Sequence, residues 1–283
     1  MRTFLDKLYD IKLKEISRRE CIISENDLRK QAESIVRKNT FRTTLLRKPG
    51  RAISIIAEIK AKAPGHKNVK DLDARAVIRD YELGGAKAIS VLTDEEWFGG
   101  SLEILKIASG ATALPLLHKE FIIRPYQLLE GRVRGASAAL ILAYYFNETE
   151  LEDMISETKK IGLEAVVECS LENELPRALA VNPDILMINN RAIAAIPEEP
   201  SKQYNQGSVD VISSWWALNP ELRKWKKQEG KILISASCIK YPKDIQSLMK
   251  IPCDAALIGN SAMAASDRVA YLNSLIENFK PKK

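Results

Sequence analysis

The apolar residues of the chain fall into short runs that recur at regular intervals. One run, ISIIAEIK at 53–60, is too short to cross a membrane and too rich in β-branched residues for a typical helix. Such a run predicts a strand that is buried on both faces. Glu58 and Lys60 stand two residues apart at its end, so an alternating strand would aim both side chains in one direction. The alternative interpretation is a surface pair where the strand leaves the core.

The same pattern repeats down the chain and predicts the fold class. Strand candidates occupy 53–60, 87–93, 114–118, 138–143, 162–168, 184–188, 231–236 and 254–258. Amphipathic segments between them predict helices at 101–109, 125–134, 147–160, 171–180 and 242–250. Eight strand–helix repeats favour an α/β fold, a (β/α)8 TIM barrel. An open doubly wound sheet is the alternative, but the loop AKAPGHKN after the first strand lacks the glycine pattern of that fold.

The residues before the first strand predict a helical extension. Apolar positions at mostly helical spacing indicate helices at 3–18 and 26–38, within an N-terminal extension over residues 1–50. No glycine- or serine-rich linker follows it, so we expect the extension to pack on the barrel. Residues 1–283 are therefore predicted to form one domain, a common length for such barrels.

Capping residues and glycines predict where several helices begin and end. Asn147 and Ser170 are predicted N-caps. Helices are expected to stop at four glycines: Gly85, Gly110, Gly135 and Gly162. One repeat is irregular, because the connection 190–231 is about 40 residues long. It contains a polar loop, PEEPSKQYNQGS, and a helical stretch in which Trp215 and Trp216 are expected to pack on the core or at its edge.

Composition and charge narrow the class of protein. The chain has 283 residues, 46% of them hydrophobic, and no apolar run approaches the roughly 20 residues of a membrane span. The N-terminal residues MRTFLDKLYD lack the apolar segment of a signal peptide, and four cysteines without a CxxC pair indicate free thiols in a reducing compartment. A cytoplasmic protein is therefore expected. Two histidines cannot form a His-rich metal site, and the dispersed net charge of +6 fits a small anionic substrate better than nucleic acid.

In such a barrel, active sites lie at the carboxyl ends of the strands. The predicted strand ends present two lysines, two carboxylates and several amide, hydroxyl and backbone donors: Glu58, Lys60, Thr93, Lys119, Glu168, Asn189, Asn190, Arg191, Ser237, Cys238, Gly259, Asn260 and Ser261. Bringing several charges together out of water is costly, so their convergence favours a function. The short stretches after strands seven and eight can offer backbone N–H groups to a phosphate.

Five segments carry a resemblance to a known family: IIAEIKAKAP, ISVLTDEEWFGGSLEIL, LPLLHKEFIIRPYQ, INNR and ALIGNSAM. In order and spacing they resemble indole-3-glycerol phosphate synthase, the barrel lyase of tryptophan synthesis, over nearly the whole chain except 195–230. The resemblance implies decarboxylating ring closure and dehydration of 1-(2-carboxyphenylamino)-1-deoxyribulose 5-phosphate. It also implies a small phosphorylated anionic substrate, and no metal or other cofactor.

The resemblance implies a role for each matching residue. Lys119 would be the general acid in ring closure, and Glu168 the acid or base in dehydration. Lys60 would bind the phosphate side and could donate a proton, while Glu58 and Asn189 would hold the substrate hydroxyl. The remaining binding residues would be Arg191 in the polar cluster, Phe98 beside the aromatic ring, and Ser237, Cys238, Gly259 and Asn260 around the phosphate. We expect a lysine near other cations to have a lowered pKa, and a carboxylate in a dry mouth a raised one.

The chain departs from the family pattern at four strand ends. Glu-Ser-Gly after strand seven is Ala236-Ser237-Cys238 here, Ser-Pro-Ser after strand one is Ala63-Pro64-Gly65, Arg-Asp after strand six is Arg191-Ala192, and a small residue after strand eight is Asn260. The change after strand seven removes a carboxylate and adds a side chain beside the phosphate, and the change after strand one removes two hydroxyl donors. Two alternatives therefore stay open: a diverged member with another phosphorylated substrate, and a non-catalytic protein that binds a phosphorylated ligand.

Overall fold

The chain folds into a closed barrel of parallel strands. The computed structural model describes residues 2–36, 40–62, 72–196 and 207–277. The strands follow one another around the barrel in chain order: β1 (Ser54–Ile59), β2 (Ala88–Leu92), β3 (Leu116–Lys119), β4 (Ala138–Leu142), β5 (Glu164–Cys169), β6 (Ile185–Asn189), β7 (Ile232–Ala236) and β8 (Ala255–Ile258). Strand β1 pairs with both β2 and β8, which closes the sheet. The predicted (β/α)8 barrel is confirmed, and the open sheet is excluded.

The strand sequences are apolar on both faces because both faces of the barrel wall are buried. In β1, Ile56 belongs to the apolar cluster inside the barrel, whereas Ile55 and Ala57 belong to the cluster between the barrel and its helices. Glu58 and Lys60 continue the alternating row that Ile56 begins. The period of the strand itself therefore aims both charged side chains toward the mouth of the barrel.

Helices connect the strands and cover the barrel. They are α1 (Phe4–Glu20), α2 (Glu25–Glu33), α3 (Phe41–Leu45), α4 (Ala74–Leu83), α5 (Leu102–Ala111), α6 (Pro125–Val133), α7 (Glu148–Lys160), α8 (Leu175–Ala180), α9 (Asp210–Leu218), α10 (Pro220–Lys226), α11 (Pro242–Met249), α12 (Asn260–Ala264) and α13 (Arg268–Ile276). Within the four described ranges, no helix combines the length and the apolar character that a membrane span requires.

Two of the residues predicted to begin or end a helix do not do so. Asn147 does cap α7, since its side chain accepts a hydrogen bond from the Glu150 backbone N at 3.0 Å. Ser170 does not cap a helix, because a 3₁₀ turn (Glu172–Glu174) precedes α8 and the Ser170 hydroxyl accepts instead from the Ala194 N at 3.2 Å. The left-handed glycines that follow α4, α6 and α7 are Gly85, Gly135 and Gly162. Gly110 lies inside α5, which continues to Ala111 and is capped by Thr112.

The N-terminal helices contact both ends of the barrel. At the mouth, the Phe4 N at the start of α1 donates to the Ile196 carbonyl, 2.8 Å away, in the loop after β6. At the opposite end, the Arg42 N of α3 donates to Glu164 Oε2 at 3.0 Å, where β5 begins. Helix α3 was not predicted. The predicted helix 26–38 is too long, because α2 ends at Glu33, and residues 37 and 38 lie outside the described ranges. A single domain with an extension over 1–50 stays a prediction.

The long sixth connection carries a 3₁₀ turn (Ile193–Ala195), α9 and α10. Residues 197–206, most of the predicted polar loop, lie outside the described ranges. Trp215 is buried in the outer apolar cluster and Trp216 packs against it, which confirms the predicted core packing. Trp225 is also buried there, and its indole N–H donates to the Pro183 carbonyl at 2.9 Å. The described part of the connection therefore belongs to the helical layer.

Candidate active site

A buried carboxylate joins two lysines at the mouth of the barrel. Glu58, which is 2% exposed, places Oε1 at 2.7 Å from the Lys60 Nζ. Its Oε2 lies 3.5 Å from the Lys119 Nζ, at the end of β3. The arrangement excludes the alternative of a surface Glu/Lys pair. It also holds two ammonium groups within reach of one substrate, because each is fixed by one oxygen of a single carboxylate.

A second polar pair lies at the ends of β5 and β6. The Asn189 amide donates to Glu168 Oε1 at 3.1 Å, and the Arg191 backbone N donates to Asn189 Oδ1, also at 3.1 Å. This chain of hydrogen bonds fixes the amide and one carboxylate oxygen. The other oxygen, Glu168 Oε2, is buried and has no hydrogen-bond partner among the described residues. It is therefore available to a substrate.

The first carboxylate is held as an anion. Burial acts to raise the pKa of Glu58, but the adjacent Lys60 and Lys119 outweigh it and lower that pKa to about 2. Burial lowers the pKa of Lys60, with smaller contributions in the same direction from Lys119 and Arg191, although Glu58 opposes them. Glu58 thus remains charged at every ordinary pH. A carboxylate in this state holds the two lysines in place and is not suited to transfer a proton.

The pKa values of Lys119 and Glu168 are both raised, whereas those of Lys60 and Glu58 are both lowered. Burial acts to lower the pKa of Lys119, but the carboxylates of Glu58 and Glu168 outweigh it and raise that pKa. Burial raises the pKa of Glu168, and Lys119 opposes this only in part. The expected directions therefore hold for Lys60 and Glu168. They are wrong for Lys119, where two carboxylates outweigh burial, and for Glu58, where two lysines do. Lys119 stays protonated near neutral pH, and Glu168 is able to take up a proton.

The glycine after β8 is required by the close packing of the charged groups. A Cβ at Gly259 would collide with Glu58 Oε1 and would lie 2.9 Å from the Lys60 Nζ. The backbone of Gly259 therefore closes the side of the site on which these two charges meet. Backbone at this position in a barrel commonly binds a phosphate, which fits the predicted role.

Gly259→Ala should damage the site directly. The added methyl group would displace the carboxylate of Glu58, so we expect the free energy of unfolding to fall by about 1–3 kcal/mol, as for other overpacked positions, together with a loss of binding. Thermal unfolding and the KM for substrate measure the two effects. Gly110→Ala is the matched control, because its Cβ meets nothing within 4 Å inside α5. That control should gain about 0.5–1 kcal/mol, and equal behaviour of the two variants would contradict the explanation.

The turn after β7 adopts an uncommon backbone conformation. Ser237 and Cys238 have φ values of 70° and 64°, in the left-handed region that favours glycine. The amide of Asn190 stabilises the turn by donating to Ser235 Oγ at 2.9 Å and to the Ser237 carbonyl at 3.0 Å. Burial raises the pKa of Cys238 above that of an ordinary thiol. The turn is thus fixed next to Gly259, on the side predicted to bind phosphate.

The model of the family described as indole-3-glycerol phosphate synthase matches residues 5–275. The chain belongs to the indole-3-glycerol phosphate synthase family. Indole-3-glycerol phosphate synthase of Carboxydothermus hydrogenoformans is 33% identical over 278 residues, which cover 96% of this chain and 99% of the relative. The enzyme of Lachnospira eligens is 33% identical over 98% of this chain and 96% of its own length. That of Petrotoga mobilis is 35% identical over 79% and 84%, respectively.

Solved structures of more distant proteins share the fold. A crystal structure of 3-hexulose-6-phosphate synthase superposes with a TM-score of 0.57 over 80% of this chain and 99% of its own, at 11% identity. A crystal structure of KGPDC from Streptococcus mutans gives a TM-score of 0.56 at 9% identity, over 81% and 98%. At these identities the similarity supports the barrel fold alone.

Family membership confirms several of the sequence-based predictions. The predicted family, the class of decarboxylating carbon–carbon lyase and the place in tryptophan biosynthesis are confirmed. The family acts on a phosphorylated substrate, as expected. Neither alternative, a member with another substrate or a non-catalytic binder, is favoured by these comparisons.

The departures from the family pattern lie at the strand ends around the site, and they leave Glu58, Lys60, Lys119 and Glu168 in place. Ala236 is buried at the end of β7, directly opposite Asn189 in the strand register. Ala192 precedes the 3₁₀ turn of the sixth connection. Asn260 is the first residue of the short helix α12. The altered stretch 63–65 lies outside the described ranges.

Sequence reasoning missed a set of buried charges beneath the aromatic residue Phe98. Lys12 of α1 forms ion pairs with Asp94 and with Glu120, at 2.8 and 3.2 Å. The sequence did contain a signal for this set. Lys12 lies four residues from Leu8 and four from Ile16 on the buried face of α1, where a charged residue is rare without a partner.

Proposed function

We propose that the chain catalyses the indole-3-glycerol phosphate synthase reaction, with Lys119 and Glu168 as its proton-transfer groups. The observation that carries this proposal is that Glu58 holds the Lys60 and Lys119 ammonium groups 2.7 and 3.5 Å from its own oxygens at one barrel mouth. At the same mouth, Glu168 presents a buried, unpartnered oxygen. A fixed cation and a protonatable carboxyl are the two groups that ring closure followed by dehydration requires.

In the first step, Lys119 donates a proton to the C2 carbonyl oxygen of the deoxyribulose. The ring carbon that bears the carboxylate attacks C2 at the same time, so a C–C bond forms as the carbonyl becomes a hydroxyl. Loss of CO₂ then leaves the electron pair in the ring and restores its aromaticity. The raised pKa of Lys119, which follows from Glu58 and Glu168 although burial opposes it, keeps this proton in place at neutral pH.

In the second step, the new C2 hydroxyl leaves as water and the adjacent carbon loses a proton, which completes the indole. Glu168 is the proposed acid or base here, because burial raises its pKa and its Oε2 has no other partner among the described residues. Asn189 orients the carboxyl by donating to Oε1 at 3.1 Å. Glu58 and Asn189 together are proposed to hold the substrate hydroxyl.

Binding is proposed to use the two ends of the substrate. Phe98 lies in the loop after β2, with its ring centroid 6.0 Å from that of Phe121, and would flank the aromatic ring. Lys60 and Arg191 supply positive charge around the site. The phosphate would meet the turns after β7 and β8, at Ser237, Cys238, Gly259 and Asn260. Each of the four cysteines is a free thiol, which supports a reducing, cytoplasmic location.

The proposal is tested by incubating the purified full-length chain with the carboxyphenylamino-deoxyribulose phosphate. Formation of the indole product is followed by its fluorescence. We expect saturable turnover without an added cofactor. A folded protein that binds the substrate but produces no fluorescent product would overturn the proposal and favour a non-catalytic role.

Ala236→Glu tests whether the site is adapted to this substrate. The variant restores the carboxylate that the family carries at the end of β7. Since Glu58 and Glu168 already supply the charged and the protonatable carboxyl groups, we expect kcat/KM to change by less than about tenfold, equivalent to roughly 1.4 kcal/mol. A gain of about 10²-fold, the size of a general acid–base contribution, would show that the native site serves another substrate. Kinetics with the same fluorescence assay decide between the two.

A further inference from the structure

A lysine from the N-terminal helix is completely buried against two acidic residues of the barrel. The side chain of Lys12 is 0% exposed, and its Nζ lies 2.8 Å from Asp94 Oδ1 and 3.2 Å from Glu120 Oε1. Glu15, one turn along α1, adds a third oxygen at 2.9 Å. Removing such charges from water is costly even when they are paired, so stability alone is a weak reason for this arrangement.

Asp94 connects Lys12 to the loop that carries Phe98. While one oxygen of Asp94 pairs with Lys12, Oδ2 accepts hydrogen bonds from the backbone N of Trp97 at 2.8 Å and of Phe98 at 3.0 Å. Those two bonds fix the turn directly after β2. The position of the Phe98 ring therefore depends on the position of the Asp94 carboxylate.

Glu120 connects Lys12 to the proposed general acid. It follows Lys119 in the chain, and its Oε1, which faces Lys12, also accepts from the Phe121 N at 2.8 Å. Its Oε2 accepts from the Thr93 hydroxyl at 2.9 Å, and the Thr93 N donates in turn to the Lys119 carbonyl at 3.1 Å. The backbone on both sides of Glu120 is thus fixed by its carboxylate.

The loop after β2 is held from two further sides. On the α1 side, the Phe4 and Trp97 rings pack edge to face with centroids 4.8 Å apart, and the Lys7 Nζ lies 5.8 Å from the Trp97 ring. On the β1 side, Lys62 donates from its backbone N to the Phe98 carbonyl and from its Nζ to the Glu96 carbonyl, both at 2.9 Å. Helix α1 and the end of β1 therefore hold this loop between them.

We propose that Lys12 is a positioning residue, which sets the location of Phe98 through Asp94 and that of Lys119 through Glu120. The inference rests on the proposed function for the roles of Phe98 and Lys119. One ammonium group at the center of these contacts fixes the aromatic platform and the proton donor relative to each other. Helix α1 is thereby part of the machinery that orients the substrate, and not only a cover on the barrel.

Lys12→Met tests the proposal. Both kcat, normalised to the concentration of folded enzyme, and KM are measured. A displacement of about 1 Å in an active site can lower the rate by about 10²-fold, so we expect a fall in kcat/KM of that order with both constants affected. Lys226→Met is the matched control. It removes the ammonium of another buried ion pair, 2.8 Å from Asp254 near the amino ends of the strands, and should leave kcat/KM within about twofold per folded molecule.

Two further single-site variants test the contacts of Lys12 with Asp94 and with Glu120 one at a time. They remain informative even if Lys12→Met does not fold. Asp94→Asn retains one acceptor and cannot serve both Lys12 and the loop, so KM should rise more than kcat falls. Glu120→Gln weakens the contact next to Lys119, so kcat should fall more than KM rises. If these variants and Lys12→Met lose only thermal stability and keep the native constants per folded molecule, Lys12 is a structural anchor and the proposal is wrong.

A spectroscopic measurement keeps this inference separate from the proposed function. The chain has four tryptophans, and with 5-fluorotryptophan incorporated, Trp97→Phe identifies the ¹⁹F resonance of Trp97. We expect that resonance to shift or broaden in Lys12→Met and Asp94→Asn, and to stay unchanged in Lys226→Met. This result needs no turnover, so it stands even if the chain forms no indole product. If the Trp97 resonance is unchanged in both Lys12→Met and Asp94→Asn, Lys12 does not position the loop after β2 and the proposal is wrong.

Discussion

Lys119→Met is expected to lower kcat by about 10²–10⁴-fold, the contribution of a well-placed general acid. The ammonium of Lys119 lies 3.5 Å from Glu58, and the carboxylates of Glu58 and Glu168 raise its pKa although burial acts to lower it. Methionine fills a similar volume and has no proton to donate to the carbonyl. Initial rates of indole product formation at neutral pH measure the loss.

Stability must be measured alongside this rate, because the substitution also removes a buried charge. The Glu58 carboxylate keeps Lys60 as a partner at 2.7 Å, so we expect the variant to remain folded. Lys231→Met is a suitable control, since it removes another largely buried lysine, 3.5 Å from Asp184 at the opposite end of the barrel. A folded Lys119→Met enzyme that retains native kcat would show that another group protonates the carbonyl.

Lys60 is the obvious candidate for that other group, and the two lysines differ in a way that can be measured. Both contact Glu58 and lie near Arg191, but Lys119 also experiences the carboxylate of Glu168, whereas Lys60 experiences the ammonium of Lys119. Burial and those cations lower the pKa of Lys60, so Lys60 would lose its proton at a lower pH than Lys119. An alkaline limb of kcat that persists in Lys60→Met would assign the limb to Lys119.

The sequence predicted the barrel well because its strand signal is local. The run 138–143 is continuous and apolar, and each observed strand lies within two residues of its predicted bounds. Helix ends were less predictable because they depend on contacts from elsewhere. The hydroxyl of Ser170 accepts from the Ala194 N in the loop after the neighbouring strand β6, and Gly110 has no steric reason to end α5.

The proposed catalytic residues could be located from the sequence because strand ends converge in any such barrel. Their charge states could not, because these depend on which charge faces which. Glu58 and Glu168 both lie near the carboxyl ends of apolar strands, yet one pKa is lowered by two lysines and the other is raised by burial. The buried set around Lys12 was missed for a related reason. Its members come from three elements, and only the folded chain brings α1 against the ends of β2 and β3.

Glu168→Gln is the second variant expected to lose most of the activity. Glutamine can still accept the hydrogen bond from Asn189, 3.1 Å from Oε1 in the native chain, so the geometry should be retained. It cannot take up or release a proton during dehydration, so we expect kcat to fall by about 10²–10⁴-fold. Single-turnover measurements should show rapid loss of CO₂ and slow formation of indole, because only the second step is blocked.

The same variant should be more stable than the native chain at neutral pH. Burial raises the pKa of Glu168 in the folded state, so folding favours its protonated form. The stability that this preference contributes is fully present below the unfolded pKa and is lost as pH rises through the raised folded pKa. Glutamine is neutral throughout, so its advantage in Tm should be absent near pH 4 and should grow toward neutral pH. A Tm that falls by the same amount at every pH would mean that Glu168 is a structural anion, and the role in proton transfer would have to be abandoned.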